Sequence, residues 1–455
     1  MKLSKLSMII VLVLTVAYAT SGYGAVSSEE AAKLGITLTG VGAEQAGNKE
    51  GTIPSYTAGL KTPPANFEPG SGIRPDPFAE EKPLFSINAQ NMNQYADKLT
   101  EGTKALMKKY STFRIDVYKT HRTVAFPEYV IKNTAKNAVR STTANGGLSL
   151  KDAHAGYPFP IPKDGYEVMW NHLVRYLGRA FESNTFTYMV DSRGQLIPSG
   201  GGIFWQEFPY YDEDVTRPDA HIFWKCRWHF TKPARRAGEV GQLFDPITMY
   251  EKGRIAYMYL PGQRRVKLAP EVAFDSPNPD TSGSTTYDEA WMFNGSMERY
   301  NFKLIGKKEF YIPYNAYKAT YQVKKEELFG PKHMNPDAVR WELRRMWVVE
   351  GTLKPGKRHC YIKRVLYVDE DSWAALTAEN YDAHGNFFKV NYHLITQSYD
   401  MMAPHTGYGV FYDLISNKYN VQFWPGAAEG GYIRQAKVRP ERDWASGTMA
   451  GSGVR

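Results

Sequence analysis

The segment "KRHCYIKRVLYVDEDSWAALTAENYDAHGNFFKVNYHL", residues 357–394, contains five acidic side chains, three histidines and one cysteine. These residue types can bind a metal ion or act as general acids and bases. A calcium loop, however, needs oxygen ligands at alternate positions around a glycine, and "DEDSW" lacks that spacing. The acids at 369–371 and Asp382 instead separate stretches of alternating polarity, where short polar side chains bond to nearby backbone. The spacing of these acids therefore indicates turns between strands rather than a metal-binding or catalytic centre.

Other signatures of catalysis are absent from the sequence. It has no G-x-S-x-G elbow, phosphate-binding loop, H-E-x-x-H motif or dinucleotide glycine pattern. His221 and His229 are eight positions apart on one predicted strand, roughly 26 Å at the usual rise, so they cannot share a metal ion. Cys226 and Cys360 are too few for a metal framework, and they either form one disulfide or remain as two thiols. We therefore expect no catalytic residue, metal or cofactor, with a hydrolase whose acids meet only in space as the alternative.

β-Strands are expected to position most of the acidic, histidine and cysteine residues named above. The 455 residues include 31 Tyr, 22 Phe and 10 Trp beside 39 Gly and 27 Pro, a composition typical of strands and turns. Apolar residues at three- and four-residue steps predict a helix near residues 89–110, with two further helices near 127–140 and 166–176. From about residue 180 onward, period-two patterns dominate. The predicted fold class is β-rich α+β, with several helices.

Four of the predicted strands form a meander around the acidic turns. They are "RRMWVVEGTL", "RHCYIKRVLYV", "WAALTAENY" and "NFFKVNYHL". Pro355 and Gly356 stand where a type II turn requires them between the first two strands. A predicted hairpin near residues 408–424 continues the same sheet.

The strand "HIFWKCRWHF", residues 221–230, has two distinct faces. Alternate side chains of a strand point to opposite sides, so one face is apolar and is predicted to be core. The other face is predicted to meet mostly water or a polar ligand. The apolar face carries Ile222, Trp224, Cys226, Trp228 and Phe230, and the other carries His221, Phe223, Lys225, Arg227 and His229.

A second strand, within "GRIAYMYLPGQRRVKLAP", is apolar on both faces. Tyr257 and Tyr259 lie on one face and Met258 on the other, so this strand would separate two hydrophobic spaces. Arg264 and Arg265 follow directly after the break at Pro-Gly. Their guanidinium groups could grip a phosphate or carboxylate at the rim of whatever the strand lines. Alternatively, they pair with acids of the chain such as those at 288–289.

The two ends of the chain differ from its middle. Residues 1–24 place lysines before a short apolar run and A-x-A, which predicts a cleaved secretory signal peptide, with a retained anchor as the alternative. The mature protein is then expected in a bacterial periplasm. Residues 25–88 read as an extended Gly- and Pro-rich arm, residues 89–425 as the helices and sheet, and residues 426–455 as a loosely held tail.

The formal charge of +9 is spread along the chain. It suits an anionic partner such as a lipid head group, but it is equally compatible with a role in solubility alone. No nucleic-acid motif accompanies the charge, so we expect no nucleic-acid partner.

Several motifs resemble those of a known family. "YLPGQRRVKLAP", "TTYDEAWMFNG" and "RVLYVDEDSWAALTAENYDAHGNFFKV" are similar to periplasmic outer-membrane lipoprotein-sorting proteins, relatives of the lipoprotein carrier of the Lol system. The whole mature chain, including "GTIPSYTAGL", "GYPFPIP", "MWNHLVRY" and "FYIPYNAY", resembles a large uncharacterised proteobacterial family of that type. The resemblance implies a strongly curved antiparallel sheet, an incomplete barrel closed by helices over an apolar cavity. It also implies a link with resistance-nodulation-division transporters and outer-membrane proteins.

These observations give one leading hypothesis, a periplasmic carrier or chaperone for a lipid-like hydrophobic ligand. An aromatic-rich sheet around a cavity would remove an acyl chain from water, although aromatic stripes are also typical of plain core. The alternatives are a periplasmic hydrolase and an accessory protein that docks on an envelope transporter through an exposed apolar patch. The predicted ligand-binding residues are Trp224, Trp228, Phe230, Tyr257, Tyr259, Arg264, Arg265 and Trp347.

Overall fold

A computed structural model describes residues 25–214 and 221–453. The predicted signal peptide, residues 1–24, lies outside the described residues. Within the described ranges, no helix is both long enough and apolar enough to cross a membrane.

Strands are the main regular structure of the described chain. In order they are β1 (Phe85–Ile87), β2 (Ile115–Val117), β3 (Thr142–Ala144), β4 (Ser149–Lys151), β5 (Ala180–Val190), β6 (Leu196–Glu207), β7 (Ile222–Lys232), β8 (Val240–Pro246), β9 (Ile255–Leu260), β10 (Arg265–Leu268), β11 (Tyr300–Pro313), β12 (Arg340–Leu353), β13 (Lys363–Asp369), β14 (Ala375–Tyr381), β15 (Phe387–Ser398), β16 (Ala403–Asp413), β17 (Lys418–Trp424) and β18 (Tyr432–Gln435).

Sixteen of these strands form a single sheet, and β3 and β4 form a separate hairpin. The main path is antiparallel and runs β11-β12-β13-β14-β15-β16-β17-β5-β6-β7-β8-β9-β10. β18 extends the edge of β5 beside β17, and the small pair β1-β2 joins β12 in parallel. Across the described ranges, the end strands β10 and β11 do not pair with each other, so the sheet stays open. The prediction of a β-rich chain with an incomplete antiparallel barrel is confirmed.

The sheet is strongly curved. Ala316, just after β11, donates its backbone N–H to the carbonyl oxygen of Ile395 on β15 at 3.0 Å. Four strand spacings separate β11 from β15, which would be roughly 19 Å in a flat sheet. Both faces of the curved sheet are packed, since the neighbouring residues Val410 and Phe411 of β16 belong to two different apolar clusters.

The predicted helices are present, with one interruption. The predicted helix near 89–110 is a 3-10 segment, Met92–Lys98, followed by a separate α-helix, because Leu99 is extended and the Thr100 side chain caps the new helix by accepting the N–H of Thr103. The α-helices are α1 (Ser28–Ala31), α2 (Glu101–Lys109), α3 (Glu128–Ala138), α4 (Gly165–Leu173), α5 (Met249–Lys252), α6 (Lys325–Leu328) and α7 (Thr448–Gly453).

The predicted meander corresponds to β12 through β15, and the predicted hairpin to β16 and β17. Gly356 has a φ of 76°, which supports the predicted turn after β12. The return strand begins only at Lys363, five residues later than the pattern suggests. The side chain of His359 in this interval bonds to Asp288 rather than facing a neighbouring strand.

The two ends of the described chain are held by specific contacts. Between α1 and β1 the N-terminal residues form only isolated bridges, yet this arm supplies the N–H of Glu44 to the Glu370 carboxylate at 3.3 Å. The tail is not loosely held as predicted. β18 pairs with β5, and Trp444 and Met449 are buried.

The tail also corrects the prediction for the second face of β7. That face, which includes Lys225 and Arg227, is predicted to meet mostly water or a polar ligand, but both side chains are buried. The ring of Trp444 lies 5.5 Å from the Lys225 ammonium and 5.7 Å from the Arg227 guanidinium. Glu441 accepts a hydrogen bond from Lys225 at 2.7 Å. The alternation of apolar and polar residues on β7 therefore predicts contact with solvent or a polar ligand at a face that the distant tail covers.

Candidate ligand-binding cavity

A cavity of about 90 Å³ lies between strands β5–β8 and the segment 271–294, which we call the cover segment. Alternating residues of the strands point into it, because one face of this part of the sheet is directed toward the cover segment. The apolar side chains that line it are Leu177, Phe181, Phe204, Trp224, Trp228, Leu243, Val272, Trp291, Phe423 and Ile433.

Tryptophan rings form a large part of the cavity wall. The Trp224 and Trp291 rings meet with centroids 4.7 Å apart, so β7 and the cover segment contact each other at this point. The indole N–H of Trp224 donates to the Gln206 side-chain oxygen at 3.0 Å. This bond satisfies the one polar atom of the indole and leaves its rings to line the cavity.

Most polar groups of the wall already have partners. Arg254 grips Asp245 through two hydrogen bonds of 2.7 Å, and both side chains are buried. Asp280 accepts a hydrogen bond from Arg236 at 2.5 Å. Burial lowers the pKa of His405 to about 3, so this imidazole is neutral. The wall therefore offers mainly an apolar surface to a ligand.

The cover segment is held by polar contacts to the other half of the sheet. Asn420 donates to the Ser284 hydroxyl at 2.9 Å, and Gln422 donates to the Thr285 hydroxyl at 2.7 Å. These partners belong to strand β17 and to the "TTYDEAWMFNG" region with the residues just before it. Neutral hydrogen bonds of this kind each contribute only about 1 kcal/mol.

One buried ion pair reinforces these contacts. Asp288 of the cover segment accepts hydrogen bonds from Arg364 on β13 at 3.0 Å and from His359 at 2.9 Å. Burial alone would raise the pKa of Asp288, but Arg364 and His359 outweigh it and hold the pKa below its ordinary value. The carboxylate is therefore charged, and it anchors the cover segment to the sheet.

Comparison with known proteins places the chain in a family. The sequence profile of DUF1329, described as a protein of unknown function, matches residues 86–450. The chain belongs to the DUF1329 family. An uncharacterized protein of Pseudomonas aeruginosa is 40% identical over 409 residues, which cover 88% of each chain. The uncharacterised family predicted from the quoted motifs is thereby confirmed.

Solved structures align with part of this DUF1329 chain. A domain described as outer membrane lipoprotein-sorting from Vibrio parahaemolyticus is 13% identical, with a TM-score of 0.40, and covers 60% of this chain and 91% of its own. A DUF1329 protein from Desulfovibrio piger is 12% identical, with a TM-score of 0.40 and coverages of 60% and 92%. A LolA superfamily protein from Nitrosomonas europaea is 11% identical, with a TM-score of 0.36 and coverages of 62% and 98%.

In the structure of the DUF1329 chain, only some of the residues predicted to bind the ligand lie at the cavity. Trp224 and Trp228 line the cavity. Phe230 is on the same face of β7, but it packs against Phe204 and lies 3.9 Å from the guanidinium of Arg236. It therefore stands beside the cavity rather than in its wall.

Strand β9 separates two apolar clusters, in agreement with its pattern. Ala256 belongs to the large cluster around the cavity, whereas Tyr259 is buried against Met449 of the tail in a separate cluster. Tyr257 packs on that second cluster as well. Both tyrosines thus lie on the side of β9 that faces the tail.

The remaining predicted residues lie away from the cavity. Trp347 is on β12, Arg264 is in the turn between β9 and β10, and Arg265 begins β10; both arginines are exposed. Neither arginine forms an ion pair with a described residue. The alternative pairing with the acids at 288–289 is not formed, because Asp288 bonds to Arg364 instead. Ligand contact by all eight predicted residues stays a prediction.

Sequence reasoning did not identify the cover segment as part of the site. The motif "TTYDEAWMFNG" was noted only for its resemblance to the family. It has no regular periodicity, and Trp291 and Met292 adopt φ values of 53° and 70°. Such left-handed conformations are rare for bulky residues and leave no signal in a hydrophobicity pattern.

Cys360, His359 and Asp288 have the residue types of a nucleophile, a base and an orienting acid. The Cys360 sulfur lies 3.7 Å from Nδ1 of His359, and Nε2 of His359 bonds to Asp288. Cys360 is exposed at the surface, yet partial desolvation of its sulfur, followed by the charges of Glu289 and Asp288, raises the pKa of the thiol above its ordinary value. The thiol is therefore protonated at neutral pH, which does not favour nucleophilic catalysis.

The same region contains a possible metal-ligand set whose atoms are already engaged. Asp275, His359 and Cys360 place ligand atoms within 4.8 Å of one another. Asp275 accepts hydrogen bonds from Arg299 and from the Cys360 N–H, and Nδ1 of His359 accepts the N–H of Tyr361. Both cysteines of the chain are free thiols.

Proposed function

We propose that the chain is a periplasmic carrier or chaperone that binds a lipid-like hydrophobic ligand beneath the cover segment. The observation that carries this proposal is the apolar cavity bounded by Trp224, Trp228 and Trp291 inside an open, curved sheet. Transfer of apolar surface from water to such a wall contributes about 25 cal/mol per Å², or roughly 0.8 kcal/mol per buried CH₂ group.

The size of the cavity indicates how such a ligand would enter. A volume of about 90 Å³ accommodates a small apolar group but not a long acyl chain. The cover segment must therefore move away from β5–β8 to admit a lipid. The neutral hydrogen bonds from Asn420 and Gln422 exchange with water at small net cost, whereas the ion pairs of Asp280 and Asp288 must break or shift when the segment moves.

The proposal includes a role in outer-membrane trafficking or export. In this role, the protein would receive its ligand from a resistance-nodulation-division transporter, or deliver it to outer-membrane proteins. The signal-like segment at residues 1–24 supports the periplasmic location.

Native mass spectrometry of the protein purified from its own envelope tests the carrier function. We expect a fraction of the protein to carry a lipid-sized mass. Ser183 lines the cavity on β5, so Ser183→Leu fills part of it and should lower the bound fraction several-fold. Overpacking of this kind usually costs about 1–3 kcal/mol, which a large domain tolerates.

The matched control is Asn184→Leu, because the adjacent residue of β5 points to the opposite face. It should leave the bound fraction unchanged. A clean unliganded mass for the wild type, combined with no binding of added lipids, would contradict the carrier function.

A further inference from the structure

Arg175, which follows α4, is a buried cation with an incomplete set of partners. It is 3% exposed, and its Nη1 donates to the carbonyl oxygen of His172 at 2.7 Å. Its Nε and Nη2 atoms are buried and have no hydrogen-bond partner. No described carboxylate lies within ion-pair distance of Arg175. Burial lowers the pKa of Arg175 to about 9, so the group still carries a proton at neutral pH.

The unpartnered Nε and Nη2 atoms of Arg175 form the edge of the guanidinium group with which arginines hold a carboxylate side-on. In the same protein, Arg74, Arg122 and Arg254 each direct Nε and Nη2 at the two oxygens of one aspartate. Two parallel N–H donors match the geometry of a carboxylate or a phosphate. The corresponding edge of Arg175 has the same donors but no anion.

A buried charge without a counter-ion is costly, and its surroundings compensate only in part. The Trp291 ring lies 4.7 Å from the guanidinium, and the negative face of an aromatic ring attracts a cation but does not replace a full counter-ion. Nearby, Nδ1 of His393 is also buried without a partner, and burial and the charge of Arg175 hold the pKa of His393 below its ordinary value. A neutral His393 leaves Arg175 as the cation to be compensated.

Arg175 is separated from the cavity by one aromatic ring. Trp291 lines the cavity, contacts Trp224 across it, and carries Arg175 on its ring. Leu177, two residues after Arg175, is also in the wall.

We propose that Arg175 is the counter-ion for the head group of the ligand, and that the ligand is an anionic amphiphile. Its carboxylate or phosphate binds Nε and Nη2 of Arg175, and its alkyl chain occupies the cavity once Trp291 moves with the cover segment. This inference rests on the proposed carrier function and specifies the class of its ligand.

Four probes that share a ten-carbon chain test the head-group preference by isothermal titration calorimetry on the full mature chain. They are decanoate, decyl phosphate, decanol and decyltrimethylammonium. We expect decanoate, decyl phosphate or both to bind about tenfold or more tightly than decanol, because hydrogen bonds to a charged group contribute about 1.5–3 kcal/mol. Decyltrimethylammonium should bind least. A preference for decanoate over decyl phosphate, or the reverse, identifies the head group.

Arg175→Met then removes the charge and keeps the length of the side chain. It should reduce the anion preference to less than twofold and leave decanol binding unchanged. The variant should fold, since replacing an uncompensated buried charge by an apolar group is often neutral or stabilising. Arg179→Met is the matched control, because Arg179 is already paired with Asp212, and it should retain the preference.

The outcomes separate the two proposals. Equal binding of decanol and the anions to the wild type would overturn the role of Arg175 while supporting the carrier function. Retention of the anion preference by Arg175→Met would also overturn it. Binding of none of the four probes would contradict both proposals.

Discussion

Asp371 shows how strongly a single side chain can be fixed in this protein. It accepts hydrogen bonds from Arg122 at 2.6 Å and from Arg344 at 2.5 Å, and all three side chains are buried. Burial alone would raise the pKa of Asp371, but the two arginines outweigh it and lower the pKa. Loss of one partner from a buried ion pair typically costs about 3–5 kcal/mol. Asp371, in the turn after β13, therefore holds the sheet to the segment before α3.

Glu167 on α4 provides a pH-dependent prediction. Burial raises the pKa of Glu167 from 4.5 to about 7, and one of its oxygens has no partner. The protonated form is favoured in the folded state, so its contribution to stability is complete below pH 4.5 and is lost as the pH rises through 7. Between pH 4.5 and 8 we expect the wild type to lose about 3 kcal/mol more unfolding free energy than Glu167→Gln.

Urea unfolding followed by far-UV circular dichroism at several pH values measures this difference. Glu128→Gln is the control, because Glu128 is exposed on α3, and it should follow the pH dependence of the wild type. Parallel curves for the wild type and Glu167→Gln would show that the residue is ionised in the folded protein throughout the range.

For single residues, the sequence predicted whether a side chain lies in a turn or a strand better than it predicted the contacts that the side chain makes. Glu370 and Asp371 lie in the predicted turn, whereas Asp369 is the last residue of β13, and Asp382 accepts backbone N–H groups of its own turn, as expected. The sequence could not show that Asp371 meets Arg122, because that contact joins residues 249 positions apart. Likewise, Arg175 has no local feature that distinguishes it from an ordinary exposed arginine.

The cover segment is the element on which the proposed function depends. Its hydrogen bonds to β17 hold it over the sheet, whereas its contacts with β7 enclose the cavity. Opening of the cavity would require release of the β17 contacts together with the ion pair of Asp288 with Arg364. The element thus links access to the cavity with the polar side chains of β17.

A disulfide between the cover segment and β17 should therefore prevent ligand uptake. Ser284 and Asn420 already touch, so Ser284→Cys with Asn420→Cys can be oxidised in a background in which Cys226 and Cys360 are replaced by alanine. We expect the oxidised protein to bind decanol at least tenfold more weakly, and reduction to restore binding. Titration calorimetry before and after dithiothreitol measures the effect.

The control is the Ser284→Cys variant alone in the same cysteine-free background. Oxidant should not change its affinity for decanol. Equal binding by the oxidised and reduced double variant would mean that the ligand enters without movement of the cover segment.

Among the structural elements, helices and strands with a periodic sequence were predictable, and segments without such a period were not. The strands of the meander and helices α3 and α4 follow periodic patterns that a single sequence displays. The cover segment and the tail have few periodic residues, and their positions depend on distant side chains. For example, Trp444 packs over Lys225 more than two hundred residues earlier in the chain.

The whole molecule is organised around one sheet that two apolar clusters share. Strands such as β5 and β16 contribute residues to both clusters, on opposite faces. No boundary between the clusters can open without breaking strands that belong to both. The described chain therefore behaves as one structural unit despite its length.

We expect a single cooperative unfolding transition. Near-UV circular dichroism, far-UV circular dichroism and tryptophan fluorescence should give the same midpoint in urea, because coincident probes indicate two-state behaviour. Two separated transitions would indicate that one face of the sheet can lose its packing while the other persists.

The open sheet has margins at β10 and β11, and basic side chains outnumber acidic ones on both. Arg265 and Lys267 lie on β10, and Lys303 and Lys308 lie beside Glu309 on β11, where Lys307 is paired with Glu44 and Glu370. An unpaired strand is a template onto which another copy can add, but margins of like charge repel each other. The distribution of lysine and arginine thus gives this protein a means of resisting fibre formation, which complete closure of the barrel would otherwise have provided.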